Sequence, residues 1–258
     1  MKYYPGFKIS YDLLKKNFIY SDEVFVSGIE ERKLDDIRKS LKDSNCSGPA
    51  IVYVIAMDIG RKIDKEDLIK KNLLYGVCIY SKGKLGDEPV RSQGHIHSIS
   101  NSCNSSTPEV YEIWEGEAII YMQESVKNDP GKIYAIKAKE GEKVIVPPGW
   151  AHYTINANSE KNMIFGAWCI RDFGFDYNDV RKHGGLAYFP IFTEKDLKFI
   201  PNKTYKLKEL IIKGPREYKE FNLDKDKPIY EQYLENRDKF RFVTNPNEYS
   251  EIWGNFIP

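Results

Sequence analysis

Histidine and cysteine are both scarce in this chain, with four of each among 258 residues. No two of the cysteines (Cys46, Cys78, Cys103, Cys169) form a Cys-x-x-Cys pair, which excludes a zinc ribbon and a dense disulfide framework and leaves reduced thiols. Excess charge is missing too. Thirty-nine basic residues against 38 acidic ones give a net charge of +1, so the chain carries no electrostatic footprint for nucleic acid or an acidic membrane, and neither partner is expected. Nor does any apolar run approach the roughly 20 residues of a membrane span, and Met1 to Gly6 lack the apolar centre of a signal peptide. A soluble, cytoplasmic protein is the expectation.

What is present suffices for a core: 41% of residues are hydrophobic, and a chain of this length can bury them in one β-rich domain with additions. Residues 1–48 read as an irregular lead-in followed by an amphipathic helix, because Leu34, Ile37 and Leu41 recur at helical spacing between Glu30 and Lys42. Residues 49–192 read as a β-sandwich or barrel. Apolar, β-branched runs at 50–58 and Leu73 to Tyr80 predict strands, and short strands broken by Gly and Pro turns follow. The polar stretch 98–108 predicts an exposed loop. Residues 193–258 form a Lys-, Glu- and Asn-rich extension with helical patterns at Tyr205 to Ile212 and Lys227 to Phe240. Its aromatic residues are expected to pack on the barrel or on a neighbouring subunit rather than on a substrate.

Three of the four histidines fall in the strand-rich part. In Gly94-His95-Ile96-His97 the imidazoles sit at i and i+2, which project from one face of a strand, so both can reach one ion. In Glu109 to Gly116 the same alternation puts Glu109, Tyr111 and Ile113 on one face and Val110, Glu112 and Trp114 on the other. A third segment ends a strand at Pro147-Pro148-Gly149 and opens the next with His152. His183, in the charged turn Arg181 to Gly185, reads as solvated surface, and Asn156 as a strand-end hydrogen bonder.

Together these segments resemble the two motifs of the cupin superfamily. His95, His97, Glu109 and Gly116 match the first; Gly141, Pro147, Gly149, His152 and Asn156 match the second without a gap. The first is stretched, since eleven residues separate His97 from Glu109, and the polar loop is the excess. Over roughly residues 28–192 the chain is similar to the cupin-type phosphoglucose isomerases, through Glu31 to Asp36, Tyr75 to Cys78, Lys82 to Glu88, Ser92 to His97, Glu109 to Glu112 and Asp172 to Tyr177.

The resemblance implies an all-β fold, the double-stranded β-helix or jelly-roll barrel, with an N-terminal helix and a C-terminal α/loop appendage, assembled as a homodimer. It implies one divalent ion, iron(II) with manganese or zinc as substitutes, held by His95, His97, Glu109 and His152, a donor set that suits these metals. It implies interconversion of glucose 6-phosphate and fructose 6-phosphate, with Glu109 and Tyr111 in catalytic roles. The substrate would be held by Ser92, Gly94 and Tyr111, with Thr154 sharing the face of His152 and Arg91 adding charge if it turns inward. Two positions depart from the family: Cys78 stands where a threonine is usual at the phosphate, and Trp168 where a tyrosine would face the substrate. They keep two rivals open, a cupin isomerase or epimerase for another sugar phosphate or nucleotide sugar, and a non-catalytic metal-containing sugar binder.

Overall fold

The computed structural model describes residues 3–12, 15, 17–194 and 196–258; Met1 and Lys2, on which part of the leader reading falls, and Leu13, Leu14, Lys16 and Lys195 lie outside them. Among the described residues two sheets build the barrel. One has six strands in the spatial order Lys143–Val146, Glu109–Glu115, Met163–Ile170, Leu73–Tyr80, Ile51–Arg61 and Val24–Lys33, every neighbour antiparallel. The other orders Ala151–Asn156, Glu117–Gln123, Ile133–Lys139 and Leu210–Lys213, the last pair being parallel. Antiparallel strands linked by short Gly and Pro turns and closed face to face form the jelly-roll barrel, so the all-β expectation holds.

Side-chain alternation sorts each central strand into two cores. Tyr111, Ile113, Phe165 and Ala167 point into the barrel, where they meet Tyr53, Tyr80, Ile120, Ile136 and Val144. Their neighbours Val110, Trp114, Ile164 and Trp168 point outward, into a second core shared with the C-terminal extension. There Tyr230, Tyr233, Phe240 and Phe242 are buried against Trp168, Tyr75 and Phe7. Each such side chain contributes roughly 1.5–3 kcal/mol when fully buried. The extension's aromatic residues therefore pack on the barrel, as their composition suggested.

Three local expectations are corrected. Glu30 to Lys33 belong to the Val24–Lys33 strand, and only Leu34–Ile37 and a 3₁₀ turn at Arg38–Ser40 are helical. Pairing of Glu30 with Ile55 and Arg32 with Tyr53 overrides the helical spacing, although Leu34, Ile37 and Leu41 are buried as that spacing required. Tyr205 to Ile212 form no helix; Leu210–Lys213 instead add a strand to the four-stranded sheet. Helix in the last pattern is confined to Ile229–Glu235.

Candidate metal centre

His95 and His152 face each other through a two-way backbone bridge: the N–H of His95 donates to the carbonyl of His152 at 3.1 Å, and the N–H of His152 to that of His95 at 2.9 Å. His97 follows on the short strand Ile96–His97, and Glu109 opens the next long strand. One ligand atom from each of these four residues lies within 4.8 Å of all the others, and no other cluster of this kind occurs among the described residues.

Hydrogen bonds on the far side of the rings fix which nitrogen faces inward. His97 Nδ1 lies 2.8 Å from the carbonyl of Thr107, and His152 Nδ1 3.2 Å from that of Trp150. A carbonyl only accepts, so each Nδ1 carries the proton and the neutral ring presents the Nε2 lone pair to the centre. Both Nε2 atoms then stand 3.3 Å from the same Glu109 oxygen, Oε2. His95 and His97 Nε2 are buried without a hydrogen-bond partner. Burial, with the neighbouring imidazoles, holds His95 well below the ordinary imidazole range, and burial lowers His152. Burial alone would raise the Glu109 carboxyl, but the imidazoles of His152 and His97 against it outweigh that and keep it well below its usual range. Lone pairs of neutral rings and a carboxylate converging on one point leave donors unmatched unless a cation stands among them, so the residues present fit a divalent ion.

Around the centre runs a cavity of about 80 Å³. Of the expected substrate contacts, Cys78, Ser92, Tyr111 and Thr154 line it. The Tyr111 hydroxyl donates to Glu109 Oε2 at 2.8 Å. Burial and then the Glu109 charge push the phenol well above its ordinary range, so it stays protonated. Ser92 Oγ accepts from the Thr154 N–H at 3.1 Å.

Trp168 and Gly94 do not join them. Trp168 is fully buried on the outer face of the barrel wall, its indole N–H directed at the Ile229 carbonyl at 3.3 Å. Strand parity is the reason: Phe165, Ala167 and Cys169 take the inward positions. Gly94, at φ +90°, is not among the cavity-lining residues, and Leu186 stands where a Cβ would lie. Arg91 does not turn inward. It is buried in a pair with Glu88 at 2.7 Å and donates to the carbonyls of Ser92 and Ser40. Asn156 donates to the Ser81 and Lys161 carbonyls as a strand-end bonder. His183 lies outside the site, half-buried against the Tyr205 ring.

The polar loop is exposed only in part. Asp172 accepts from Ser100 and Ser102, and the loop's end, residues 106–108, is buried at the centre. Ser106 Oγ donates to the His97 carbonyl at 2.8 Å and accepts from the Gly149 N–H at 3.0 Å. Gly149 sits at φ +78° in the Pro-Pro-Gly turn, a conformation natural to glycine. The long insertion thus returns to hold His97, which composition alone gave no sign of. Sequence reasoning also missed Arg32, Tyr53, Gln93, Phe175 and Tyr177, which line the cavity; the Phe175 ring lies 4.4 Å from that of His95.

Residues 38–206 match the model of the family described as glucose-6-phosphate isomerase (GPI). A glucose-6-phosphate isomerase of Thermococcus litoralis is 28% identical over 159 residues, 59% of this chain and 75% of that protein. One of Pyrococcus abyssi is 30% identical over 135 residues, 52% of this chain and 66% of that protein. One of Sinorhizobium medicae is 27% identical over 115 residues, 45% of this chain and 49% of that protein. The chain thus spans about half the length of the rhizobial relatives it matches, and more of the archaeal ones.

Proposed function

The chain belongs to the glucose-6-phosphate isomerase family, and from that premise we propose that it interconverts glucose 6-phosphate and fructose 6-phosphate with the help of one divalent ion. The observation that carries this reading is the convergence of His95, His97, His152 and Glu109 beside a cavity lined by aromatic, aliphatic and hydroxyl side chains. Iron(II) is the proposed resident ion, with manganese or zinc able to substitute, in keeping with an imidazole and carboxylate donor set. Bound there, it would supply Lewis-acid polarisation of the sugar's O1 and O2.

The protein's own groups then have defined tasks. Tyr111 Oη, kept protonated, donates to Glu109 Oε2 and fixes that carboxylate; with its one proton so engaged, it can accept from a sugar hydroxyl. Glu109, the carboxylate at the centre, is the candidate to carry a proton between C2 and C1, though its lowered pKa makes it a weak base. Phe175 and Tyr177 pack their rings against His95 beside the cavity. Ser92 and Thr154 offer hydroxyls along the sugar chain. Running the reaction in deuterated water separates proton transfer through a base, which leaves deuterium at C1 or C2, from a direct hydride shift, which leaves none.

A homodimer accords with the exposed edge of the Val24–Lys33 strand, where Ile29 faces solvent. Four unpaired cysteines accord with a reducing, cytoplasmic setting. The test is metal analysis coupled to formation of glucose 6-phosphate from fructose 6-phosphate. About one ion per chain with chelator-sensitive turnover is expected; inert protein with a full complement of metal counts against the reading.

A further inference from the structure

The cavity contains one acidic side chain, Glu109, and one permanently cationic one, Arg32. Three strands separate the strand of Glu109 from that of Arg32 in the six-stranded sheet. Arg32 Nε is buried without a hydrogen-bond partner. Its one ion-pair partner, Glu30, stands 3.6 Å from Nη2 and is itself largely exposed, a weak and solvent-screened attachment. Other cations nearby are engaged: Arg91 is saturated by Glu88 and two carbonyls, and Arg181 donates to Gln93 and lies over the Tyr177 ring. A half-buried guanidinium beside the Tyr53 phenol, with its buried Nε unmatched, is a good anion receptor, because its planar fork matches phosphate oxygens.

We propose that Arg32 binds the phosphate of the sugar substrate and makes this cavity selective for phosphorylated over free sugars. The inference rests on the isomerase reading. It follows from charge: a sugar phosphate carries a dianion besides its O1 and O2, and Arg32 is the permanently cationic side chain lining the cavity that also holds the cation-ready cluster. Of the groups expected at the phosphate, Gly94 does not line the cavity and Cys78 is a weak donor. Arg32 supplies the charge they lack.

The test uses metal-loaded full chain and the non-reacting analogue sorbitol 6-phosphate, with affinity measured by calorimetry. Arg32→Gln is expected to weaken binding about ten- to hundredfold, the range for losing hydrogen bonds to a charged group. Metal content stays unchanged, and for fructose 6-phosphate KM rises while kcat stays within about threefold. Arg32→Lys, which keeps the charge and loses the fork, recovers part of the affinity. Wild-type affinity in Arg32→Gln overturns the proposal, as does loss of metal in step with loss of ligand. Absence of turnover in the wild type would strike the isomerase reading alone, because the sorbitol 6-phosphate comparison needs no chemistry.

Discussion

Glu109 and Glu112 lie on one strand, on opposite faces of a wall one residue thick, and their surroundings are opposed. Glu109 faces three imidazoles and is held low. Glu112 faces outward under the C-terminal extension, where burial raises its pKa to about 7 despite the Lys143 ammonium at 3.3 Å and the Ile229 N–H at 3.0 Å. Glu112 is fully buried and Glu109 only partly so, and their partners differ. On the inner face the unmatched donors leave room for an ion. On the outer face the polar groups fasten the extension to the barrel, and the aromatic core around Trp168 does the rest. Changes inside should therefore cost chemistry, and changes outside should cost stability.

The largest effect should come from the inner face. His152→Ala removes an ion ligand, and metal retention and turnover are expected to fall together, turnover by on the order of a thousandfold or more, with the barrel still folded by circular dichroism. Next comes the outer face. Trp168→Ala is expected to cost about 3–5 kcal/mol in urea denaturation with KM unaltered where the protein is folded. A raised KM at full stability would return Trp168 to the substrate and break the division.

Glu112 gives the third test, through pH. Its folded pKa lies above its unfolded value of 4.5, so the native state holds the proton more tightly. That contribution is complete below about pH 4.5 and is lost as pH rises through about 7. The stability of Glu112→Gln relative to wild type should accordingly rise across this window, by on the order of 2–3 kcal/mol, while Lys143 keeps the carbonyls of Gly141 and Lys225. A difference that stays flat from pH 4.5 to 8 contradicts the assignment. The smallest effect belongs to the groups behind the ligands: Ser106→Ala should lower metal affinity about tenfold and leave kcat of the metal-saturated protein unchanged.

The inner face was legible in the sequence because its signals are local. His-x-His, the alternation from Glu109 to Trp114 and the Pro-Pro-Gly turn before His152 need only the two-residue period of a strand, and the four expected ligands do converge. What failed needed long-range information. Trp168 points outward because of the parity of the Met163–Ile170 strand, which pairing with Leu73–Tyr80 sets and a count from His152 does not. Arg32 was hidden by a helical spacing that strand pairing with Tyr53 overrides. Thr107 and Ser106 serve His97 only because the loop folds back, a path its composition does not encode.

The most direct test of the account measures metal content and glucose 6-phosphate formation on the same preparation, before and after chelation and after return of iron(II) or manganese. The account requires about one ion per chain, loss of turnover on chelation and recovery on reloading. Full turnover in the metal-free protein, or in metal-free His152→Ala, would contradict it.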